Sequence, residues 1–231
     1  YSKSYPSVFI PLINSIGKAP GVEKVAATNL MITKQGPLFC SDTSLNINPS
    51  YKEIAKIAVN TAKIVNMFGI EPVIAILSYS NFGSSDFDEA KKISKAVKVL
   101  HTKNPELIVD GPIQSDFALN KEMLKNRFPF SILNGRKVNT LIFPNLDSAN
   151  ITYKTIKELD RAVSVGPILT FVLAQGASYD QHCVQQSYPR ALVYGYCFFD
   201  PHPAVDPFSL LSITDGRPIS RVVGNQESKT R

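Results

Sequence analysis

The sequence has few cysteines, and those it has are badly placed for cross-linking or metal binding. Cys40, Cys183 and Cys197 are odd in number and far apart. They make neither a disulfide framework nor a zinc site, and they suit a reducing compartment such as the cytoplasm. Long apolar runs are also missing. The longest candidate, around 168–174, begins beside Gly166 and Pro167 and falls well short of the ~20 residues that cross a bilayer. From Tyr1 onward no charged-then-apolar leader is visible. Gly and Pro, at 12 and 16 of 231 residues, are too sparse for a low-complexity chain, and a hydrophobic fraction of 44% is too high for a disordered one. Excess charge is small as well: 25 basic against 19 acidic residues leave +6. The Lys and Arg residues are scattered along helices, so no nucleic-acid footprint is indicated. Walker, GxGxxG, HExxH and GxSxG patterns are absent. Secreted, membrane-spanning and zinc-finger classes fall away.

What is present is an alternation of short β-branched runs and long amphipathic stretches between about residues 22 and 169. Strands are predicted at 25–32, 73–77, 107–109 and 140–143. Helices are predicted near 50–68, 86–101, 121–127 and 147–159. This order argues for an α/β layered domain with a largely parallel sheet. In the first helix Ile54, Ile57, Ala58, Ala62, Val65 and Phe68 recur at helical spacing, with Lys52, Lys56 and Lys63 off that stripe. Pro49 suits a first helical turn, Ser50 with Glu53 forms a capping box, and Gly69 stops the helix. The second helix repeats the stripe through Ile93, Ala96, Val97 and Leu100. Beyond Ser178 the periodicity is lost, and four prolines from Pro201 onward oppose a continuous helix.

The most informative stretch is a buried-looking strand, 73–77, emptying into Ser78-Tyr-Ser-Asn-Phe-Gly-Ser-Ser85 and then a helix. Free backbone N–H groups and the positive end of a helix dipole converge at such a point. Ser78, Asn81, Gly83, Ser84 and Ser85 are therefore candidate ligand residues. The simpler alternative is that Ser85 caps the helix with Asp88 completing the box. A second strand–loop–helix offers Asn145 and Asp147 to the same crevice, with turn and cap duty as the alternative. A third turn, at Gly166-Pro167-Ile168, brings backbone near that region.

Acid–base candidates are thin. Asp42, Asp110 and Asp116 read as loop or cap residues, and His101 as a cation at a helix end. His182 beside Cys183 defines no catalytic pair, and His202 lies between prolines. No metal site is indicated.

Several segments carry a family likeness in order. They are Gly36-Pro-Leu-Phe-Cys-Ser-Asp-Thr-Ser-Leu-Asn46, Phe68-Gly-Ile-Glu-Pro72 with Ala75-Ile-Leu-Ser-Tyr-Ser-Asn-Phe-Gly-Ser-Ser-Asp86, and Val109-Asp-Gly-Pro-Ile-Gln-Ser-Asp116. Phe143-Pro-Asn-Leu-Asp-Ser-Ala-Asn-Ile-Thr-Tyr153 and Val165-Gly-Pro-Ile-Leu169 follow. Together they closely resemble the phosphate acetyl/butyryl-transferase family. The Ser-Asn-Phe-Gly-Ser version is similar to the phosphotransacetylase-like C-terminal region of bacterial NADP-dependent malic enzymes. The resemblance implies a three-layer α/β/α sandwich of the isocitrate-dehydrogenase-like kind with a mostly parallel sheet. It implies acetyl-CoA, a small CoA ester, in an interdomain cleft as a possible ligand, with no other cofactor within this chain. Pairing of two copies through the second domain is also implied, with no nucleic acid or membrane as partner.

In the active members so resembled, a CoA thiol attacks acetyl phosphate. A carboxylate takes the thiol proton, and an Arg and a Ser stabilise the acyl oxygen. Aligned on the family pattern, those places fall at Ala174 (Ser), Gln175 (Arg) and Gln181 (Asp), with Asp180 one residue away. A phosphate-binding Arg falls at Ile10. No catalytic residue is therefore assigned. The expected layout is a remnant of a first domain at 1–21, the transferase-like second domain at 22–169, and a divergent tail at 170–231 consistent with frame disruption. The reading that follows is an acetyl-CoA-binding, regulatory module that has lost transfer activity. An active acyltransferase and a fragment without a role are the alternatives.

Overall fold

The computed structural model describes residues 24–169. Expectations for residues 1–23 and 170–231, including Ile10, Ala174, Gln175, Asp180, Gln181 and the form of the tail, lie outside the described residues. Within them the chain runs β1 (Ala27–Thr33), β2 (Gly36–Ser41), α1 (Tyr51–Met67), β3 (Val73–Leu77), α2 (Asp88–Lys103), β4 (Ile108–Ile113), α3 (Ser115–Leu119), α4 (Lys121–Arg127), β5 (Thr140–Ile142), α5 (Leu146–Asp160) and β6 (Val163–Leu169).

Six strands form one sheet in the order β4-β3-β5-β2-β1-β6. Pairing is parallel from β4 through β2, and β1 is antiparallel to both β2 and β6. Five strands thus share a direction and β1 alone opposes them, which is the mostly parallel sheet that the β-α alternation predicts.

The strand pattern explains the layering. All five residues of β3 are buried. Val73, Ala75 and Leu77 pack on one face with Leu38, Cys40 and Leu141, against Ala118, Leu124, Ala149 and Tyr153 of α3, α4 and α5. Ile74 and Ile76 pack on the other face with Val109 and Ile142. There they meet Ile54, Ile57 and Ala58 of α1 and Ile93, Ala96, Val97 and Leu100 of α2. A strand covered on both sides has no place for alternating polar residues, and β3 has none. Phe39 of β2 joins Ile64 and Val65 of α1, its ring centroid 5.5 Å from that of Phe68.

The helix ends follow local chemistry. Ser50 caps α1 in the expected box with Glu53, although Pro49 sits just before the cap rather than in the first turn. Helix α2 begins at Asp88, two residues later than predicted, with Phe87 at the N-cap and no side-chain cap. The predicted box of Ser85 and Asp88 does not form, because Ser85 lies two residues before the cap.

Strands β2 and β6 were not predicted, and β4 is longer than expected. Gly166-Pro167 reads as a turn, yet it and Gly111-Pro112 both lie within strands. Gly111-Pro112 and Gly166-Pro167 fall where the β3–β4 and β1–β6 registers shift, so each is a bulge. Among the described residues both occupy the outermost strands of the sheet, where proline is tolerated. Both glycines have positive φ and let backbones approach closely. A Cβ on Gly111 would sit 2.5 Å from the Ile76 carbonyl oxygen, and one on Gly166 2.9 Å from that of Thr28. The expected turn at 166–168 is therefore corrected to part of β6. The β1–β2 hairpin escaped prediction because Lys34-Gln35 carries none of the Gly or Asn residues that mark a two-residue turn.

Two outcomes follow. Gly111→Ala should lower stability by ~2 kcal/mol or more, since Ala is strained at a φ of +150° and its methyl group meets backbone; urea unfolding measures this. Glu53 accepts from Lys24 Nζ at 2.7 Å and from the Ser50 amide at 2.8 Å, which pull its carboxyl from 4.5 to about 2. A lowered carboxylate contributes stability above its unfolded pKa and loses it as pH falls through the folded one. Wild type should therefore lose stability relative to Glu53→Gln between pH 4.5 and about 2. The gap at neutral pH should be only ~1 kcal/mol, because the pair is partly solvated.

Candidate functional site

The carboxyl ends of β2, β3, β4 and β5 point the same way, and the loops leaving them collect at one end of the sheet. Strands β3 and β5 are neighbours, yet their chains leave in opposite senses. After β3 the chain enters α2 on one face, whereas after β5 it enters α5 on the other. This divergence opens the crevice where open α/β sheets receive ligands. Loops 78–87 and 143–145 flank it, about one strand spacing (~4.8 Å) apart at their roots.

The loop after β3 is fixed from below and from the side. Ser78 N–H donates to the Ile113 carbonyl at 2.9 Å and Phe82 N–H to that of Pro112 at 2.7 Å. Two hydrogen bonds join Asn81 to Gln114, one to its side chain and one from its backbone. Asn81 Nδ2 donates to Gln114 Oε1 at 2.6 Å, and Gln114 N–H donates to Asn81 Oδ1 at 2.8 Å. Gln114 Nε2 also donates to the Tyr79 carbonyl at 2.8 Å. The candidate hydroxyls are likewise engaged. Ser84 Oγ accepts from Asn81 N–H at 3.0 Å, Ser85 Oγ lies 2.9 Å from the Tyr79 hydroxyl, and Ser78 Oγ accepts from Ser80 N–H at 3.3 Å. Phe82 adopts a left-handed φ of 44° and Gly83 one of 90°. The Phe82 ring lies 4.9 Å from that of Phe128 and 5.1 Å from that of Phe130, in a cluster that includes Phe117.

The helix that follows does not present a bare positive terminus. Asp86 precedes it, and Asp88 and Glu89 occupy its first turn. Lys92 offsets part of this charge, at 2.7 Å from Glu89 and 2.9 Å from Asn48 Oδ1. The region therefore suits polar, largely uncharged ligand atoms better than an isolated phosphate.

Asn145 and Asp147 divide in role. Asn145 caps α5, accepting from Ser148 N–H at 2.9 Å, while Asp147 stands exposed in the first turn. Gly166 lies on β6, four strands across the sheet from β3, or ~19 Å at ordinary strand spacing. Loop 78–85 and the Asn145–Asp147 segment thus follow neighbouring parallel strands, whereas Gly166 lies apart, against β1.

Loop 42–46 owes its shape to a buried carboxylate. Asp42 Oδ1 accepts from the N–H groups of Ser44, Leu45 and Ala27 at 2.9, 3.1 and 3.3 Å. Oδ2 accepts from Asn46 N–H at 3.0 Å and from the Asn46 side-chain amide. Burial pushes the Asp42 pKa up, and these donors oppose it. Thr43 Oγ1 donates to Asn29 Oδ1 at 3.0 Å, and Asn29 Nδ2 to Ser164 Oγ at 3.1 Å, extending the network across β1 to β6.

The other acid–base candidates serve structure. Asp110 Oδ2 accepts from Ser131 Oγ at 2.8 Å and Ile132 N–H at 3.2 Å, tying β4 to the chain after α4. Asp116 is exposed and bonds its own helix start at Phe117 N–H. His101 lies in the last turn of α2, with a ring nitrogen 2.8 Å from the Val109 carbonyl oxygen. Cys40 is buried and its thiol is pushed up to about 12, which suppresses the thiolate. Among the described residues no cluster of His, Cys, Asp or Glu could hold a metal ion, and no helix is long and apolar enough to cross a membrane.

Sequence reasoning missed Gln114, the aromatic cluster and the Asp42 network. The available signal for Gln114 was its place: a polar residue directly after a strand that neighbours β3.

Asp42→Asn should destabilise the protein by ~1–3 kcal/mol, because an amide NH₂ would face the N–H donors that the carboxylate now satisfies. Denaturant unfolding measures the loss, and amide exchange should place it at residues 43–46.

Comparison with known proteins places this architecture among characterised relatives. The Phosphate acetyl/butaryl transferase family pattern matches residues 2–175. A NADP-dependent malic enzyme of Haemophilus influenzae is 38% identical over 166 residues, covering 72% of this chain and 22% of that protein. A phosphate acetyltransferase of Buchnera aphidicola subsp. Schizaphis graminum is 38% identical over 159 residues, covering 69% and 22%. The crystal structure of a phosphotransacetylase from Streptococcus pyogenes superposes with a TM-score of 0.67 at 34% identity, covering 72% of this chain and 51% of that one. The chain spans about a fifth of the length of the first two and half of the third.

Proposed function

The chain belongs to the phosphate acetyl/butaryl transferase family, as a phosphotransacetylase-like domain of the kind found in malic enzymes and phosphate acetyltransferases. We propose that it binds a CoA ester, acetyl-CoA in the first instance, in the crevice beside loop 78–85 and does not transfer the acyl group. The observation that carries this is the divergence of the chain after β3 and β5, which sets a fixed polar loop beside a crevice at the strand ends. The backbone N–H groups of Gly83 and Ser85, which meet no acceptor among the described residues, suit the amide and thioester carbonyls of a CoA ester, and the nearby carboxylates discourage a bare anion.

Loss of transfer rests on chemistry. A thiol nucleophile needs a base and the developing oxyanion needs donors. Ala174 has no hydroxyl, Gln175 no charge, and Gln181 cannot take a proton. A missing base weakens catalysis by ~10²–10⁴-fold and a missing oxyanion donor by ~10²–10³-fold, so together they remove at least ~10⁴-fold. A domain that binds without reacting would serve as a sensor of acetyl-CoA for an attached malic enzyme. The second reading, retained phosphate acyltransferase activity, is favoured by the phosphate acetyltransferases among the relatives.

Titrating acetyl-CoA while recording amide chemical shifts should perturb residues 78–85, and phosphate-dependent turnover of acetyl-CoA should stay at background. Shifts confined elsewhere would remove the binding proposal. Sustained phosphate-dependent turnover would establish the second reading instead.

A further inference from the structure

Asn81 lies in the loop proposed to meet ligand, yet both polar atoms of its side chain are already taken. Its Nδ2 donates to Gln114 Oε1 at 2.6 Å and its Oδ1 accepts from Gln114 N–H at 2.8 Å. Gln114 spends its remaining side-chain donor on the Tyr79 carbonyl at 2.8 Å. One residue after β4 thus holds the β3 loop on both sides of Ser80. Opposing amides satisfy each other in this way only when both backbones are fixed, and here they are: Ser78 and Phe82 donate to Ile113 and Pro112, the two residues before Gln114.

The held segment is strained. Phe82 takes a φ of 44°, which is unfavourable for a bulky residue, and the next residue, Gly83, also has positive φ. Such a conformation persists only where surroundings over-determine it. The constraints on it are the Asn81–Gln114 amide pair, the Phe82 N–H bond to Pro112, and the ring contacts of Phe82 with Phe128 and Phe130. Among the described residues, the backbone N–H groups of Gly83 and Ser85 meet no acceptor in this shape. They remain available to a ligand carbonyl.

We propose that Gln114 is a positioning residue. It touches no ligand, and through Asn81 and Tyr79 it holds loop 78–85 in the strained, ligand-ready conformation. Asn81 is accordingly part of the latch, and ligand contact passes to Gly83, Ser84 and Ser85. This rests on the CoA-ester reading of the crevice, but the latch itself is measurable without ligand.

The test is a double-mutant cycle on the full chain with Asn81→Ala, Gln114→Leu and the combined variant. Amide hydrogen exchange is read without ligand and acetyl-CoA affinity by titration. Losing the latch should speed exchange at Phe82 and Ser84 by ~10-fold and weaken acetyl-CoA by a similar factor, as expected for hydrogen bonds of ordinary net strength. Exchange in α1 and the urea midpoint should be unchanged, which separates positioning from a general loss of stability. The combined variant should cost less than the sum of the two single ones, because Asn81→Ala and Gln114→Leu both remove the Asn81 Nδ2–Gln114 Oε1 bond. Gln114→Glu keeps an acceptor for Asn81 but cannot donate to Tyr79, and should fall between wild type and Gln114→Leu.

Unchanged loop exchange in Gln114→Leu, or additive effects in the combined variant, would overturn the latch. Faster exchange with wild-type affinity would overturn its role in ligand positioning and leave the CoA-ester reading standing. A wild type that ignores acetyl-CoA while the variants still exchange faster would overturn that reading, and with it the ligand-ready role of Gln114.

Discussion

Burial of β3 on both faces is the constraint from which the rest of this domain follows. Val73, Ala75 and Leu77 serve one helical layer and Ile74 and Ile76 the other. No residue within the strand is left for chemistry, so any polar function is displaced to the strand ends. The chain meets that demand abruptly: Leu77 is buried, and the next eight residues include four serines and an asparagine. Because β3 and β5 are neighbours whose successors leave toward opposite layers, the displaced polar groups border an opening instead of a packed seam. The fold and the place of the site are two results of one packing rule.

The edges of the sheet carry the second constraint. A parallel sheet that ends in an unpaired strand exposes a template for association, and a bulge on the edge strand disrupts it. Here both edge strands carry a Gly-Pro pair at a register shift. At β4 the bulge has a local consequence too. It precedes Ile113, and the carbonyls of Pro112 and Ile113 receive the amides of Phe82 and Ser78. The irregular edge is therefore part of what shapes the loop beyond β3. At β6 the bulge lets Gly166 approach Thr28 and Asn29. The same dipeptide, read from sequence, gives no hint of this difference.

Legibility followed the range of the interactions involved. Helix α1 was readable to its cap, because Ser50 and Glu53 satisfy each other three residues apart and the apolar stripe has a fixed period. Strand β3 was readable because burial on both faces leaves an unbroken apolar run. Strands β2 and β6 were not: no turn residue marks the hairpin at Lys34-Gln35, and Gly166-Pro167 mimics a turn where pairing with β1 makes a strand. In the site, loop 78–85 was found from its strand–loop–helix order, while the use of its side chains was not. Asn81 is committed to a residue 33 positions away, and no local pattern encodes that partner. Asp42 read as a loop residue and is one, but the five donors around it include Ala27, on a different strand.

These ranges bear on the proposal that this domain binds a CoA ester without transferring its acyl group. The features holding loop 78–85 come from β3, β4 and the segment after α4, all within residues 73–133. The positions the family resemblance assigns to proton removal and oxyanion stabilisation lie at 174–181, in a separate stretch of sequence. Reactive groups are also the easier set to lose. A nucleophile's base must match a proton affinity and an oxyanion donor must meet a charge that exists only in the transition state. Loop 78–85, by contrast, is kept in shape by the packing that keeps the domain folded: the β4 bulge whose Pro112 carbonyl receives Phe82 N–H lies on a strand paired with β3. The shape of loop 78–85 is therefore maintained by the same contacts that hold β3 and β4 together.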